Sequence, residues 1–405
     1  MSAPLIQPFT AIRPAPARAQ DIAARPYDVL SVAEAEAGAR GKPWSFLHVS
    51  RAEIDLPGVG DAHAPEVYAQ AARAFVAMQA EGVLVRDTAP HYYAYRMTSA
   101  GGHVQTGLAA AASTRAYETN HIRRHEHTRP DKELDRARQI AAVGAHTGPV
   151  LTAHPRDLDV EALLGAACAA EPMADAITDD GTRHQIWAIV DPDDIERLTA
   201  RFEAMGAIYI ADGHHRSAAA LRVAAQSGGR FLIISFPADE MRILGYNRIV
   251  RDLNGHGQES FLEGVSRSFQ VTPSDGPVSP AQPGSFGLYL PGQWYALTLR
   301  EPPTADASPV ERLDVSILMA RILTPILGIA DPRTDARIDF VGGGRGLSDL
   351  ARRVDADGWA VAFSLYPTAM ADLMAVADAG LVMPPKSTWF EPKLADGLLS
   401  LPIER

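Results

Sequence analysis

Apolar positions recur at helical spacing through "PEVYAQAARAFVAMQAEGVL", where Val67, Ala71, Ala74, Phe75 and Met78 share one face. This predicts a helix within 65–84 that stops at Gly82. Shorter runs read as strands: "SFLHVS" (45–50), "HYYAYRMT" (91–98), "GPVLTAH" (148–154), "HQIWAIV" (184–190), "AIYIAD" (207–212) and "RFLIISFP" (230–237). "VQTGLAAAASTRAYE" continues the second of these across a turn. Helices are expected after Ser31 as N-cap, over about 129–142, over 192–204 and over 214–226. The second of these follows Thr128 and Asp131, which resemble a capping box with Pro130 in the first turn. Beyond 254, "SDGPVSPAQPGSF" reads as a boundary or long surface loop. "FGLYLPGQWYALTLR" then reads as a hairpin, and "SPVERLDVSILMARIL" as a helix. "VGGGRG" (341–346) reads as a flexible turn with no clear helix after it. Strands alternating with helices predict an α/β fold, with α+β as the variant, in two regions, 1–253 and 254–405.

Composition narrows the function classes. The 405 residues carry a formal net charge of −11, which argues against general affinity for nucleic acid. Cys168 is the single cysteine, so neither a disulfide framework nor a Cys-rich zinc site is expected. "MSAPLIQPFTAIRPAPARAQ" lacks the form of a signal peptide, and no stretch reaches the ~20 apolar residues of a membrane helix. A cytoplasmic protein without membrane or nucleic-acid partners is expected; its oligomeric state is not legible.

The chemistry concentrates in "YIADGHHRSAAALRV" (209–223). Ile208 and Ile210 belong to a strand, Asp212-Gly213 to a turn, and Ala218, Leu221 and Ala225 to the buried face of a helix. His214, His215 and Arg216 therefore occupy a first helical turn, where amide N–H groups lack intrahelical partners and the helix dipole is positive. Cations are disfavoured there by roughly 0.3–1 kcal/mol each. A bound anion reverses that sign, with Gly213 allowing close approach and the Arg216 fork converging on phosphate oxygens. The competing reading is a helix capped by Asp212, with basic residues solvated or paired with acids.

The stretch resembles the Asp-Gly-x-His-Arg signature of the ParB/sulfiredoxin superfamily, whose members bind nucleotide at this strand–turn–helix. The chain more widely resembles the DUF1015 family, through "RPYDVLS", "IRRHEHT", "IADGHHR", "LYPTAM" and "MPPKSTWFEPKLADGL". This resemblance implies a ParB/sulfiredoxin-like nucleotide-binding core elaborated with a second α/β lobe, and a link to phosphorylation of free L-serine. Two departures stand out. Ser217-Ala218-Ala219 replace the Tyr-Glu-Thr that commonly follows in the family, and Arg25 stands where a proline often precedes "PYDV".

On this resemblance the candidate catalytic residues are Glu126, Asp212, His214 and His215. Glu126 is the first candidate for the carboxylate that takes the acceptor's hydroxyl proton, with Asp28 or Asp212 as alternatives. On a strand, His125 and His127 would share one face and Glu126 the other. Gly213, His214, His215 and Arg216 would hold donor phosphates with Lys386, Ser387, Thr388 and Lys393 of "MPPKSTWFEPK", which is not a P-loop because it lacks the glycines. Asp28, His125 and Thr128 are the substrate-binding candidates, and Asp212 the candidate ligand for Mg²⁺. The donor is left open among ATP, ADP and pyrophosphate. The alternative is a ParB-like nucleotide-binding or hydrolysing switch without small-molecule kinase activity. Sulfiredoxin-like reductase chemistry is excluded, because His214 stands where that branch needs cysteine.

Overall fold

The computed structural model describes residues 4–403 and has a mixed α/β fold. It divides into two compact units: one runs to Met241 and resumes at Pro392, the other is Arg242–Glu391.

The first unit is built on a nine-stranded mixed sheet. Its strands are β1 (Ile6–Gln7), β2 (Tyr92–Thr98), β3 (Val104–Ser113), β4 (Ile122–Arg123), β5 (Val150–His154), β6 (Ala174–Ile177), β7 (Arg183–Ile189), β8 (Ile208–Asp212) and β9 (Arg230–Pro237). The order is β4-β8-β5-β9-β3-β2-β7-β6, with β1 on β3. Only β4–β8 and β5–β9 run parallel; the remaining pairs are antiparallel. The central strands are buried along nearly their whole length, as expected where both faces are covered. One face packs Leu108, Ala110, Ile208, Ile210, Phe231 and Ile233 against helices α3 (Leu158–Ala167) and α4 (Pro192–Met205).

A second cluster gathers the N-terminal segments around α1 (Pro65–Ala80), whose Val67, Ala71, Phe75 and Met78 are buried. Helix α2 (Pro130–Val143) starts at a proline and closes on Gly144 in the left-handed conformation. Its Ala137 and Ile140 pack on Ala219 within α5 (His214–Arg222) and on Val223 just beyond its end. This packing fixes the helix that follows the Asp-Gly turn.

The second unit carries a six-stranded sheet of β10 (Tyr246–Val250), β11 (Phe269–Ser274), β12 (Ser285–Leu290), β13 (Gln293–Leu299), β14 (Ile338–Gly342) and β15 (Val361–Leu365). Its order is β11-β13-β12-β15-β10-β14, antiparallel throughout. The β12–β13 hairpin turns at Pro291-Gly292 as the sequence indicates.

Several local expectations are corrected. "SFLHVS" is not a strand: Leu47–Ser50 form one helical turn, with Phe46, Leu47 and Val49 buried together, a spacing that six residues cannot distinguish from alternation. Thr128 caps nothing; Arg129 is the N-cap of α2 without a side-chain bond, and the Thr128 hydroxyl donates to Glu133 instead. The helix expected from Ser308 begins only at Asp314 and runs into a π turn at Met319–Leu323. "VGGGRG" is followed by a clear helix, Leu347–Ala356. No helix among the described residues is long and apolar enough to cross a membrane.

Candidate active site

Strand β8 changes register against β5 between Ile210 and Asp212, an irregularity of the kind that re-aims a side chain at a strand end. Gly213 follows at φ 99°, a left-handed conformation that disfavours any Cβ. A Cβ there would also lie 2.9 Å from Arg216 Nε, so the guanidinium would have to shift to admit one. Arg216 thus folds back across the turn, bringing the Asp and Arg of "DGHHR" together.

Arg216 is buried. Its Nη2 lies 3.6 Å from Asp212 Oδ1 and 4.0 Å from Asp28 Oδ2, and its Nη1 donates to the Pro149 carbonyl. Burial opposes the charge, but Asp28 and Asp212 outweigh it and raise the guanidinium pKa above its ordinary value. Asp212 takes a second cation: Lys393 Nζ stands 2.9 Å from its Oδ2. Burial again works against ionisation, and Lys393, then Arg216, overcome it, holding Asp212 well below the usual carboxylate range. Asp212 is therefore not a helix cap. Gly213 is the N-cap of α5, and no side chain caps that helix.

On the other side of the turn His214 is buried, its Nδ1 3.5 Å from Glu126 Oε2 and its Nε2 without a hydrogen-bond partner. Desolvation, followed by the neighbouring His125, lowers its pKa well below the ordinary range, so the ring is neutral. His125 meets His214 edge to face at 4.5 Å between ring centroids, and burial pushes its own pKa down to about 4. His125 is buried whereas His127 is exposed, because 124–129 leave the strand after β4. The two histidines thus do not share a face as the strand reading expected. Glu126, which stands between them in sequence, reaches His214 and has 39 % of its side chain exposed. His215 Nε2 accepts from the Arg129 amide.

Asp28, Glu126, Asp212, Gly213, His214, Arg216 and Lys393 are therefore gathered at one corner, with His125 behind them. Thr128 spends its hydroxyl on Glu133, which also pairs with Arg222 of α5. Lys386, Ser387 and Thr388 belong to the second unit. There Lys386 adopts φ 56° with Nζ 5.7 Å from the Tyr246 ring, its carbonyl accepting from Arg248, and Ser387 Oγ donates to the Pro384 carbonyl. Among the described residues no group of three or more His, Cys, Asp or Glu is arranged to hold a metal ion. The one carboxylate at the turn suits only an ion such as Mg²⁺, which keeps its waters and takes one or two carboxylates beside substrate phosphates.

Sequence reasoning missed a recess adjoining Arg216. It is lined by Tyr27, Ser50, Arg136, His146 and Asp396 as well as Arg216, and its volume of about 30 Å³ is room for about two waters. Four of the residues around it carry a fully buried polar atom with no hydrogen-bond partner: Ser50 Oγ, His146 Nε2, Arg216 Nε and Asp396 Oδ2. Each such atom costs roughly 1–3 kcal/mol when buried. Burial raises Asp396 to about 7; Arg216 pulls it down and Asp28 pushes it up. The sequence signal for it is that Tyr27 and Asp396 stand inside the family motifs "RPYDVLS" and "EPKLADGL".

The family described as "Protein of unknown function (DUF1015)" matches residues 6–316. The chain belongs to this family. No curated protein matches the chain. Among solved structures, this DUF1015 chain is similar to a conserved hypothetical protein from Pyrococcus furiosus, at 13% identity over 74% of this chain and 95% of that one, with a TM-score of 0.36. SbnI with C-terminal truncation from Staphylococcus aureus is similar at 12% identity over 73% and 87%, TM-score 0.38. A free serine kinase in complex with AMP is similar at 13% identity over 74% and 91%, TM-score 0.37.

Proposed function

We propose that this protein transfers a phosphoryl group to the hydroxyl of a small molecule, free L-serine being the acceptor that the family motifs imply. The observation that carries this reading is the uncapped start of α5 behind a left-handed Gly213, flanked by Arg216 and Lys393. An amide-rich helix end between two cations is a site for phosphate oxygens. Both cations already bear on Asp212, so a donor phosphate has to share them with that carboxylate. Mg²⁺ carried in with the donor, and held by Asp212, would neutralise phosphate charge and ease that sharing. A nucleotide-binding core of the ParB/sulfiredoxin type is part of the same reading.

In the reaction the serine Oγ–P bond forms as the bond from phosphorus to the leaving oxygen breaks. The leaving group is ADP from ATP, AMP from ADP, or phosphate from pyrophosphate. The hydroxyl proton passes to Glu126, whose half-exposed carboxylate adjoins a neutral His214. Catalysis in such chemistry rests mainly on positioning and charge neutralisation. Arg216 and Lys393 supply the positive charge, and His214 and His125, both neutral, add none. The test is incubation of the purified protein with L-serine, Mg²⁺ and each donor in turn. O-phosphoserine formation supports the kinase. Nucleotide binding or hydrolysis without O-phosphoserine supports a nucleotide switch instead.

A further inference from the structure

A chain of side chains links the segment that bears Lys393 to the protein surface. The Ala395 amide, in buried irregular chain, donates to Tyr95 Oη at 3.4 Å. Tyr95 Oη lies 3.0 Å from His184 Nδ1, and His184 Nε2 lies 3.2 Å from Thr178 Oγ1. The Thr178 hydroxyl in turn donates to Asp180 Oδ1 at 2.6 Å. Tyr95 on β2 and His184 on β7 are diagonal neighbours on one face, because His184 pairs with Met97 in the antiparallel register. Both are 1 % exposed, whereas Asp180 sits in the exposed turn between β6 and β7.

Counting donors and acceptors places the protons. Burial lowers His184 to about 4, with Asp180 pulling it back, so the ring is neutral and carries one N–H. With that proton on Nε2, every donor has an acceptor: Ala395 gives to Tyr95, Tyr95 to Nδ1, Nε2 to Thr178, and Thr178 to Asp180. With the proton on Nδ1, the ring would donate to Tyr95, whose own buried O–H would then need another acceptor. Thr178 would also have to turn from Asp180 to serve Nε2. A buried donor left over costs more than a hydrogen bond yields, so the first tautomer holds. The chain thus runs in one direction, from the Ala395 amide to the Asp180 carboxylate.

Its inner end lies beside the site. Residues 393–395 belong to no helix or strand, so no ladder fixes them. Asp396 is tied to Ala24 by reciprocal main-chain bonds, and a Cβ on Gly397, at φ 89°, would lie 2.7 Å from Phe46 Cβ. Tyr95 extends that hold to Ala395, two residues from Lys393, whose Nζ stands 2.9 Å from Asp212 Oδ2.

We propose that Tyr95, His184 and Thr178 are positioning residues for Lys393, holding the 393–396 segment so that its ammonium meets Asp212 beside the first turn of α5. What Lys393 then does rests on the phosphoryl-transfer reading; its placement by these three side chains does not.

The chain has four lysines, Lys42, Lys132, Lys386 and Lys393, so lysine labelled with ¹³C at Cε gives a spectrum in which Lys393 can be followed, assigned through Lys393→Met. Asp212→Asn marks where the signal falls when the pair is broken. Tyr95→Phe and Thr178→Val each remove one hydroxyl and are expected to move the signal toward that position, and Thr178→Ser to restore it. Calorimetric titration of the same proteins with ATP, ADP and pyrophosphate, each with Mg²⁺, is expected to show binding weakened roughly 3- to 10-fold in Tyr95→Phe, the range for one lost hydrogen bond. Thermal melting checks that each variant folds, and the Thr178 pair decides alone if Tyr95→Phe does not. A Lys393 signal at its wild-type position in every variant that folds overturns the proposal, whatever happens to binding. So does a Thr178→Ser signal that coincides with that of Thr178→Val. A signal that moves while donor binding is unchanged, or while the wild type binds no donor, keeps the positioning network and overturns the role of Lys393 in a donor site.

Discussion

Lys393 Nζ lies 2.9 Å from Asp212 Oδ2, across 181 residues of sequence. The pair holds Asp212 ionised at the start of a helix that no side chain caps. Lys393→Met removes the larger of the two charges that keep Asp212 below the usual carboxylate range, so its pKa climbs. Between the limits for surface and buried pairs, the loss is roughly 1–3 kcal/mol. Donor affinity measured by calorimetry is expected to fall about tenfold or more, with a lower melting temperature.

Arg216 contacts three things at once: Asp212, Asp28 and the Pro149 carbonyl. A lysine has neither the planar fork nor enough donors to replace them. Arg216→Lys is therefore expected to behave like Arg216→Ala, both weakening donor use in steady-state kinetics. Full rescue by lysine would reduce the role of Arg216 to bulk charge.

Glu126→Gln keeps the shape of the side chain next to His214 and removes its basicity. Turnover is expected to drop by about 10²–10⁴-fold with donor binding intact. A normal rate in this variant would pass the base to Asp28 or Asp212.

Asp396 has a folded pKa of about 7 against an ordinary 3.8, so between these values the native state binds more protons than the unfolded chain. Stability from this group is present below pH 3.8 and is lost as the pH rises through 7. At 1.36 kcal/mol per unit the loss is roughly 4 kcal/mol at most. Asp396→Asn is accordingly expected to be more stable than wild type at pH 8 and close to it at pH 4, by denaturant midpoints.

The buried histidines act in the reverse sense. Burial lowers His125, His146 and His184 to about 4 and His154 to about 3. Below the ordinary 6.5 the unfolded chain takes up protons that these rings refuse, so stability falls as the pH drops from 6.5 toward 4. These four, together with His214, outweigh one Asp396, and equilibrium unfolding is expected to weaken steeply over that window. A flat midpoint from pH 7 to 4 would show that the rings protonate while folded.

The strand–turn–helix at 208–222 was legible because its apolar spacing, Gly213 and Arg216 act within a few residues of one another. The helix of α1 and the β12–β13 hairpin were legible for the same reason. Leu47–Ser50 was misread because six residues carry too little periodicity to separate one turn of helix from a strand. Thr128 was misread because its hydroxyl found Glu133, five residues on, in place of the expected amide. The recess was not legible at all. Its carboxylate comes from the returning segment after Pro392, its arginines from α2 and α5, and its hydroxyl from the turn at Ser50, which only the folded chain assembles.

A crystal structure with a non-transferable donor analogue and Mg²⁺ bears most directly on the corner at Asp212–Arg216. Phosphate oxygens are expected against the first-turn amides of α5, within reach of Arg216 and Lys393. Analogue density elsewhere, with Asp212 still closed on Lys393 and Arg216 as it stands here, would contradict it.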